Sequence, residues 1–290
     1  MTLILDPTTQ EERVVMLTAS VYYRGRALPL AWLCWQANSP LQGAGFWERV
    51  GQLLAQVATL IPPQVTVTWL ADRAFGTPQF TDLLAGYGWH YVVRVQGQTH
   101  YQTCQGQEGS TDQLVQQRNQ RRKLRGLAFK KAGWREVSVI VWWGRDHAQP
   151  LCLVSDLPPD FALVLLYRRR YAIETSFRDF KTYGWNWERG QVSNLDHLQR
   201  LLVAMALAAW LTVMVGTQVA AEALAKLPSS KRHSRPFAAK FSLFALGLQR
   251  LDQWLHRVTC YRLAWSLADW DAANWAAQLT NFHRHAALFA

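Results

Sequence analysis

Residues 167–181, YRRRYAIETSFRDFK, place Tyr167, Arg170, Glu174 and Lys181 at spacings of 3, 4 and 7. At about 100° per residue these four fall within a helical stripe about 60° wide, and Arg178 lies close to it. A carboxylate flanked by cations on one helix face can be a solvated, salt-bridged face, where an Arg170–Glu174 pair contributes about 0.3–0.5 kcal/mol. It can also be a metal-binding acid with cations beside it that grip phosphates. Two further acids bear on the choice. Asp6 closes the apolar run LILD and Asp72 closes VTVTWLAD, and adjacent strand ends bring two carboxylates to one edge of a sheet. Carboxylates are the hard oxygen donors that Mg²⁺ takes. A strand-end pair with one helix-borne Glu is the set that holds two Mg²⁺ ions about 4 Å apart, one activating a water or a 3′-hydroxyl and the other stabilising the leaving oxygen.

The elements that must position these groups follow from the hydrophobic pattern. Residues 14–36 hold two apolar runs split by Arg24-Gly25-Arg26, a β-hairpin signal. Residues 45–60 space Phe46, Val50, Leu53, Leu54 and Val57 as an amphipathic helix, ended by Pro62-Pro63. A strand over 65–72, a short helix over 77–88 and a strand over 89–96 complete an order β-β-β-α-β-α-β, which is an α/β core. Residues 97–135 are polar, Gln-rich and basic, and strands over 136–143 and 150–156 follow. A long helical pattern starts at 161, and the C-terminal third is mostly helical. The expected organisation is a first part of the core over 1–96, a β-rich basic insertion over 97–156, the rest of the core with the Glu-bearing helix over 157–225, and a helical C-terminal region over 226–290.

Composition narrows the partner. The chain has 290 residues, with 31 Lys and Arg against 20 Asp and Glu and a net charge of +11. Half of it is hydrophobic and 18% is charged, which excludes global disorder. Such a basic balance points to a polyanion. Arg118, Arg121, Arg122, Lys123, Arg125, Lys130 and Lys131 put seven cations within 14 residues, enough for a salt-dependent affinity for DNA of any sequence. The segment 231–236, KRHSRP, is a weaker basic signal. The four cysteines (Cys34, Cys104, Cys152, Cys260) are far apart, which argues against a zinc site and a disulfide scaffold. The opening MTLILDPTTQEER has no signal-peptide features, so a cytoplasmic location is expected. Residues 201–217 are uncharged but shorter than the roughly 20 that span a bilayer. A buried core helix, and no membrane, is expected there.

The Tyr-x2-Arg-x3-Glu-x6-Lys pattern resembles the signature of a large group of bacterial insertion-sequence transposases with a DDE, RNase H-like (retroviral-integrase-like) core. Asp6-Pro7-Thr8 resembles that group's first Asp-x-Thr motif, and Asp72-Arg73-Ala74-Phe75-Gly76 its second motif. Gly184, Glu188 and the apolar helix beginning near Leu198 fall where the pattern places them, and the resemblance spans roughly residues 3–220. It implies an RNase H-like mixed sheet flanked by helices, with Asp6, Asp72 and Glu174 as catalytic, metal-binding residues for two Mg²⁺, for which Mn²⁺ can substitute. It implies Tyr167, Arg170 and Lys181 as DNA contacts, with Arg178, Arg73, Arg121, Arg122, Lys123 and Arg125 as further DNA-binding candidates. The implied reaction is cleavage and strand transfer on double-stranded DNA, at transposon ends and target, by a homodimer. The 102 residues from Asp72 to Glu174 accommodate the group's β-rich insertion, whose aromatic residues stack on a flipped base in some relatives. Trp134 is the first candidate there because it neighbours the basic run, ahead of Trp142 and Trp143.

The group carries a helical domain ahead of its first strand, whereas Asp6 lies close to the start of this chain. An N-terminally truncated transposase is therefore expected, with a catalytically inactive remnant that only binds DNA as the alternative. The short first strand also predicts a weak anchor for Asp6. Asp156, at another strand end, is a substitute acid only if it is not a plain turn residue. His90, His100 and His147 lack metal-ligand spacing, and no phosphate-cradling glycine loop supports ATP dependence.

Overall fold

The period-2 apolar runs assemble into one sheet whose two faces are both covered. In the computed structural model, which describes residues 1–10, 13–37, 45–183, 185–190, 192, 194–226 and 242–257, strands β1 (Thr2–Gln10), β2 (Val14–Tyr23) and β3 (Arg26–Gln36) form an antiparallel meander. The hairpin turn falls at Arg24 and Gly25, both at positive φ. Helix α1 (Gly45–Leu60) leads to β4 (Thr68–Ala71), which pairs parallel with β1. Helix α2 (Pro78–Gly86) leads to β5 (His90–Arg94), parallel with β4. The order β3-β2-β1-β4-β5 is the expected RNase H-like arrangement.

The insertion joins this same sheet. Strands β6 (His100–Thr103), β7 (Glu108–Ser110), β8 (Arg121–Ala128), β9 (Arg135–Trp142) and β10 (Leu151–Ser155) extend it beyond β5 in the order β10-β9-β8-β6-β7, giving ten strands. The join is antiparallel pairing of β10 with β5, Leu153 opposite Arg94.

Alternation sorts the core. Leu3, Leu5, Trp69, Ala71 and Val93 face α1 and α2, packing with Val50, Leu53, Leu54, Val57, Phe80 and Leu84. Ile4, Leu70, Val92, Ile140 and Leu153 face the other way, onto Leu163, Val164, Tyr167 and Ile173 of the segment that carries Glu174. That segment comprises α3 (Ala162–Arg168), a 3₁₀ turn (Arg169–Tyr171), α4 (Ala172–Arg178) and a π turn (Asp179–Tyr183). A continuous helix was expected. The irregular turns flank the pairs that tie the segment to the sheet, Arg170 to Asp6 at 3.0 Å and Asp179 to Arg26 at 2.7 Å, and such turns mark places where packing overrides regular geometry.

Two expectations about β1 are corrected. Asp6 does not end its strand, because pairing with β2 continues from Asp6↔Thr18 to Gln10↔Val14. Pairing with β4 does end, at Leu5↔Ala71, so beyond Leu5 the strand has one neighbour and Pro7 is tolerated as on an edge. The anchor is also strong: Leu3, Ile4 and Leu5 are fully buried at the centre of the sheet.

By internal contacts the chain forms two units, Met1–His197 and Leu198–Ala290. Most of α5 (Leu195–Ala225) lies in the second, with α6 (Leu243–Arg257). These two helices cross closely: a Cβ added to Gly247 would lie 1.8 Å from the Thr212 carbonyl oxygen. Residues Leu195–Ala223 are long and apolar enough to cross a membrane, and half of their most apolar window is buried. Gly184, Cys260 and the basic segment 231–236 lie outside the described residues. Leu5→Ala removes a fully buried side chain next to Asp6 and is expected to cost about 2–5 kcal/mol of stability, measured by denaturant unfolding.

Candidate active site

Register and alternation together place the acids. Leu5↔Ala71 is the last pair between β1 and β4, so Asp6 and Asp72 occupy the next positions on adjacent parallel strands. Each follows a residue facing α1 and α2, so each turns to the opposite face, the one covered by α3 and α4. The Asp72 side chain accepts the Ala74 amide at 2.9 Å and caps a short 3₁₀ turn over Arg73–Phe75. Gly76 closes that loop directly onto β5, because a Cβ there would lie 2.4 Å from the Arg94 carbonyl oxygen.

Arg170 joins the sheet acid to the helix acid. Its guanidinium donates to Asp6 at 3.0 Å and to Glu174 at 2.5 Å. The i,i+4 pair anticipated from spacing therefore forms, but it is no solvated surface pair: the side chains of Arg170 and Asp6 are 11% and 13% exposed, against 52% for Glu174. Burial lifts the Asp6 carboxyl to about 7, with Arg170 opposing the rise and the charges of Asp72 and Glu174 reinforcing it. Burial also works against the Arg170 charge, but Tyr167, Asp6 and Glu174 outweigh it and hold the guanidinium firmly protonated. The three acids thus act on one another electrostatically at one sheet edge.

The other sequence candidates divide by position. Tyr167 is 1% exposed and packs in the core against α3's face of the sheet, its phenol pushed up by burial. Lys181 donates to the Thr9 carbonyl at 2.6 Å, at the far end of β1. Arg73 and Arg178 are exposed. On β8, Arg121, Lys123 and Arg125 lie opposite Trp142, Ile140 and Ser138 and share the face that packs on α3, while Arg122 lies on the other face. Arg121 and Lys123 stand over the Phe161 ring at 4.5 and 5.4 Å. Arg125 bonds Glu136, the Ser138 hydroxyl and the Asp156 carbonyl.

Antiparallel pairing through β10, β9 and β8 splits the basic run. Arg121 and Trp142 stand at the sheet edge that bears the acids, whereas Ala128 and Arg135 stand at the opposite edge. Trp134, Lys130 and Lys131, in the connection between β8 and β9, therefore lie at the edge away from Asp72. Trp142 and Trp143 are the insertion tryptophans on the acid side. Asp156 is likewise at the opposite edge, bonded to His90 Nδ1 at 2.6 Å and to the Tyr91 amide at 2.9 Å, so it does not join the acids. Arg94, which no motif flagged, is the last residue of β5, while Asp72 directly follows β4. The one signal in its favour was its place at the end of the apolar run WHYVVR.

Three carboxylates offer only oxygen donors, the type that Mg²⁺ prefers. Among the described residues no group of three or more His, Cys, Asp and Glu lies close enough to hold a metal ion, and the Arg170 guanidinium stands between Asp6 and Glu174. The donor chemistry and the mutual repulsion registered at Asp6 fit a divalent cation, with Arg170 the positive charge that balances the acids here.

The family described as transposase DDE domain matches residues 50–211, more than half of the chain, and the chain belongs to that family. The match contains Asp72, Glu174 and the whole Tyr167–Lys181 pattern; Asp6 lies outside it and is placed by geometry. Among solved structures, the cryo-EM structure of piggyBac transposase synaptic complex with hairpin DNA is similar at a TM-score of 0.43 and 10% identity, over 64% of this chain and 43% of that one. This chain thus spans less than half of that protein's length. Comparison with curated proteins gave no match.

Because folded Asp6 keeps its proton to about pH 7, whereas an unfolded carboxyl loses it near pH 4, the unfolded chain binds fewer protons in that window. Stability of the metal-free protein therefore falls as pH rises from about 4 to about 7. Asp6→Asn is expected to flatten that dependence; melting curves in EDTA across pH check it.

Proposed function

We propose that this DDE transposase cleaves DNA and transfers strands at transposon ends, as a member of the bacterial insertion-sequence group with the Tyr-x2-Arg-x3-Glu-x6-Lys signature. The observation that carries the reading is the position of Asp6 and Asp72 side by side beyond Leu5↔Ala71, facing the segment whose Arg170 links Asp6 to Glu174. In this reading Asp6, Asp72 and Glu174 hold two Mg²⁺ (or Mn²⁺), which supply activation of a water or 3′-hydroxyl and stabilisation of the leaving oxygen. The buried Asp6 and capped Asp72 are fixed by the sheet, so little reorganisation is asked of them. Glu174 is the half-exposed acid, and Arg170 positions it.

Lys181 borders the DNA strand being cut, with Arg73 and Arg178 contributing exposed charge around it; Arg170 acts through the two acids it bonds, and Tyr167, buried in the core, supports the Arg170 charge and does not reach DNA. Arg121, Lys123 and Arg125 carry the duplex along one face of the insertion, Arg122 on the other face adds only to the overall positive charge, and Trp134 lies away from the acids. The partners are double-stranded DNA and a second copy of the chain, in the cytoplasm. The basic charge also supports the alternative, a remnant that binds DNA without cutting it.

Labelled duplex incubated with purified protein in Mg²⁺ or Mn²⁺ tests the choice. Nicking is expected, abolished by EDTA and reduced at least about 1,000-fold by Asp72→Ala or Glu174→Gln, with binding retained. Metal-dependent nicking that persists in a folded Asp72→Ala protein sinks the assignment, and binding without nicking in the unsubstituted chain selects the remnant.

A further inference from the structure

We propose that Arg94 is a DNA-binding residue, gripping a backbone phosphate beside Asp72. The inference rests on the functional reading above and adds a residue outside all of its motifs.

Three geometric observations carry it. First, β4 and β5 are parallel with Ala71 opposite Val93, so the next positions, Asp72 and Arg94, stand abreast at the acid-bearing edge. Second, alternation turns Arg94 to the same face as the acids: Val93 packs with α1 and α2, while Val92 and Leu153, the latter directly opposite Arg94, pack under α3. Third, the Asp72–Gly76 loop rests on the backbone of Arg94 and Val95, at distances only glycine permits. That contact seats the loop after Asp72 against the end of β5.

Electrostatics agree with this placement. The buried Tyr167 hydroxyl feels Arg94 and Asp72 with opposite sign, so the cation and the acid both reach the same phenol. Two of the other cations near the acids are engaged. Arg170 is bonded to Asp6 and Glu174, and Lys181 to a backbone carbonyl. Arg94 is half-buried and makes no ion pair among the described residues. A partly desolvated guanidinium with no carboxylate partner presents the planar donor fork that matches two phosphate oxygens. Its positive charge also offsets the repulsion that a phosphodiester would meet from three neighbouring acids.

The test measures binding of the full chain to a duplex of about 30 base pairs across a salt series in EDTA, so that cleavage plays no part. Arg94→Gln is expected to weaken binding about 3- to 10-fold and to lower the salt slope by about one. Arg94→Lys is expected to restore the slope and part of the affinity. Arg49→Gln, a cation on α1 over the Trp35 ring and on the sheet face away from the acids, is expected to leave the slope unchanged, and melting temperatures report folding. Arg94→Gln with unchanged affinity and slope overturns the proposal. So does weaker binding accompanied by a lowered melting temperature that Arg94→Lys does not restore, because that pattern belongs to a structural role. If the unsubstituted chain fails to bind duplex at all, the functional reading itself fails and this assignment falls with it.

Discussion

The Arg170 guanidinium is the interaction on which the site depends. Three carboxylates converge on one edge of the sheet, and Asp6 is buried enough that its charge is costly. Arg170, itself buried, bonds the sheet-borne acid and the helix-borne acid together. Removing one partner of such a buried pair leaves an uncompensated charge, a loss of about 3–5 kcal/mol in comparable cases. One guanidinium thereby holds the helix in register over the strand ends and keeps like charges near one another.

The sheet beneath supplies rigidity. Parallel pairing of β1 with β4 and β4 with β5 sets Asp6, Asp72 and Arg94 level with one another where the β1–β4 pairing stops, and alternation decides which face they take. Asp6, Asp72 and Arg94 share a face for the same reason that Ile4, Leu70 and Val92 share a core. A one-residue slip in either pairing would send an acid to the wrong side. Fully buried Leu3, Leu5, Trp69 and Val93 on the other face hold that register. The insertion prolongs the same sheet, so the basic face of β8 continues the face that bears the acids.

Some of this was legible in the residues. The helical spacing of Tyr167, Arg170, Glu174 and Lys181 is a local property, and the hairpin at Arg24-Gly25 and the amphipathic helix over 45–60 are local as well. The two acid-terminated apolar runs located Asp6 and Asp72. The hydrophobic pattern is set by nearest neighbours along the chain, so it survives without knowledge of the fold. The pattern of four in 167–181 and the transposase DDE family match over residues 50–211 point the same way.

The remainder depended on contacts between segments far apart in sequence. Asp6 reads as a strand end because its apolar run stops there, yet β2 carries the strand on to Gln10. Trp134 reads as part of the basic site because it follows the lysines in sequence, but a hairpin sends those lysines and Trp134 to the far edge. Asp156 is drawn to His90, 66 residues away. Arg94 carries no motif, and only the pairing of β5 with β4 sets it beside Asp72. Residue types and their local spacing name the groups with the chemistry and the element that bears each. Which of them share an edge and a face follows from strand pairing and register, long-range choices that local patterns do not encode.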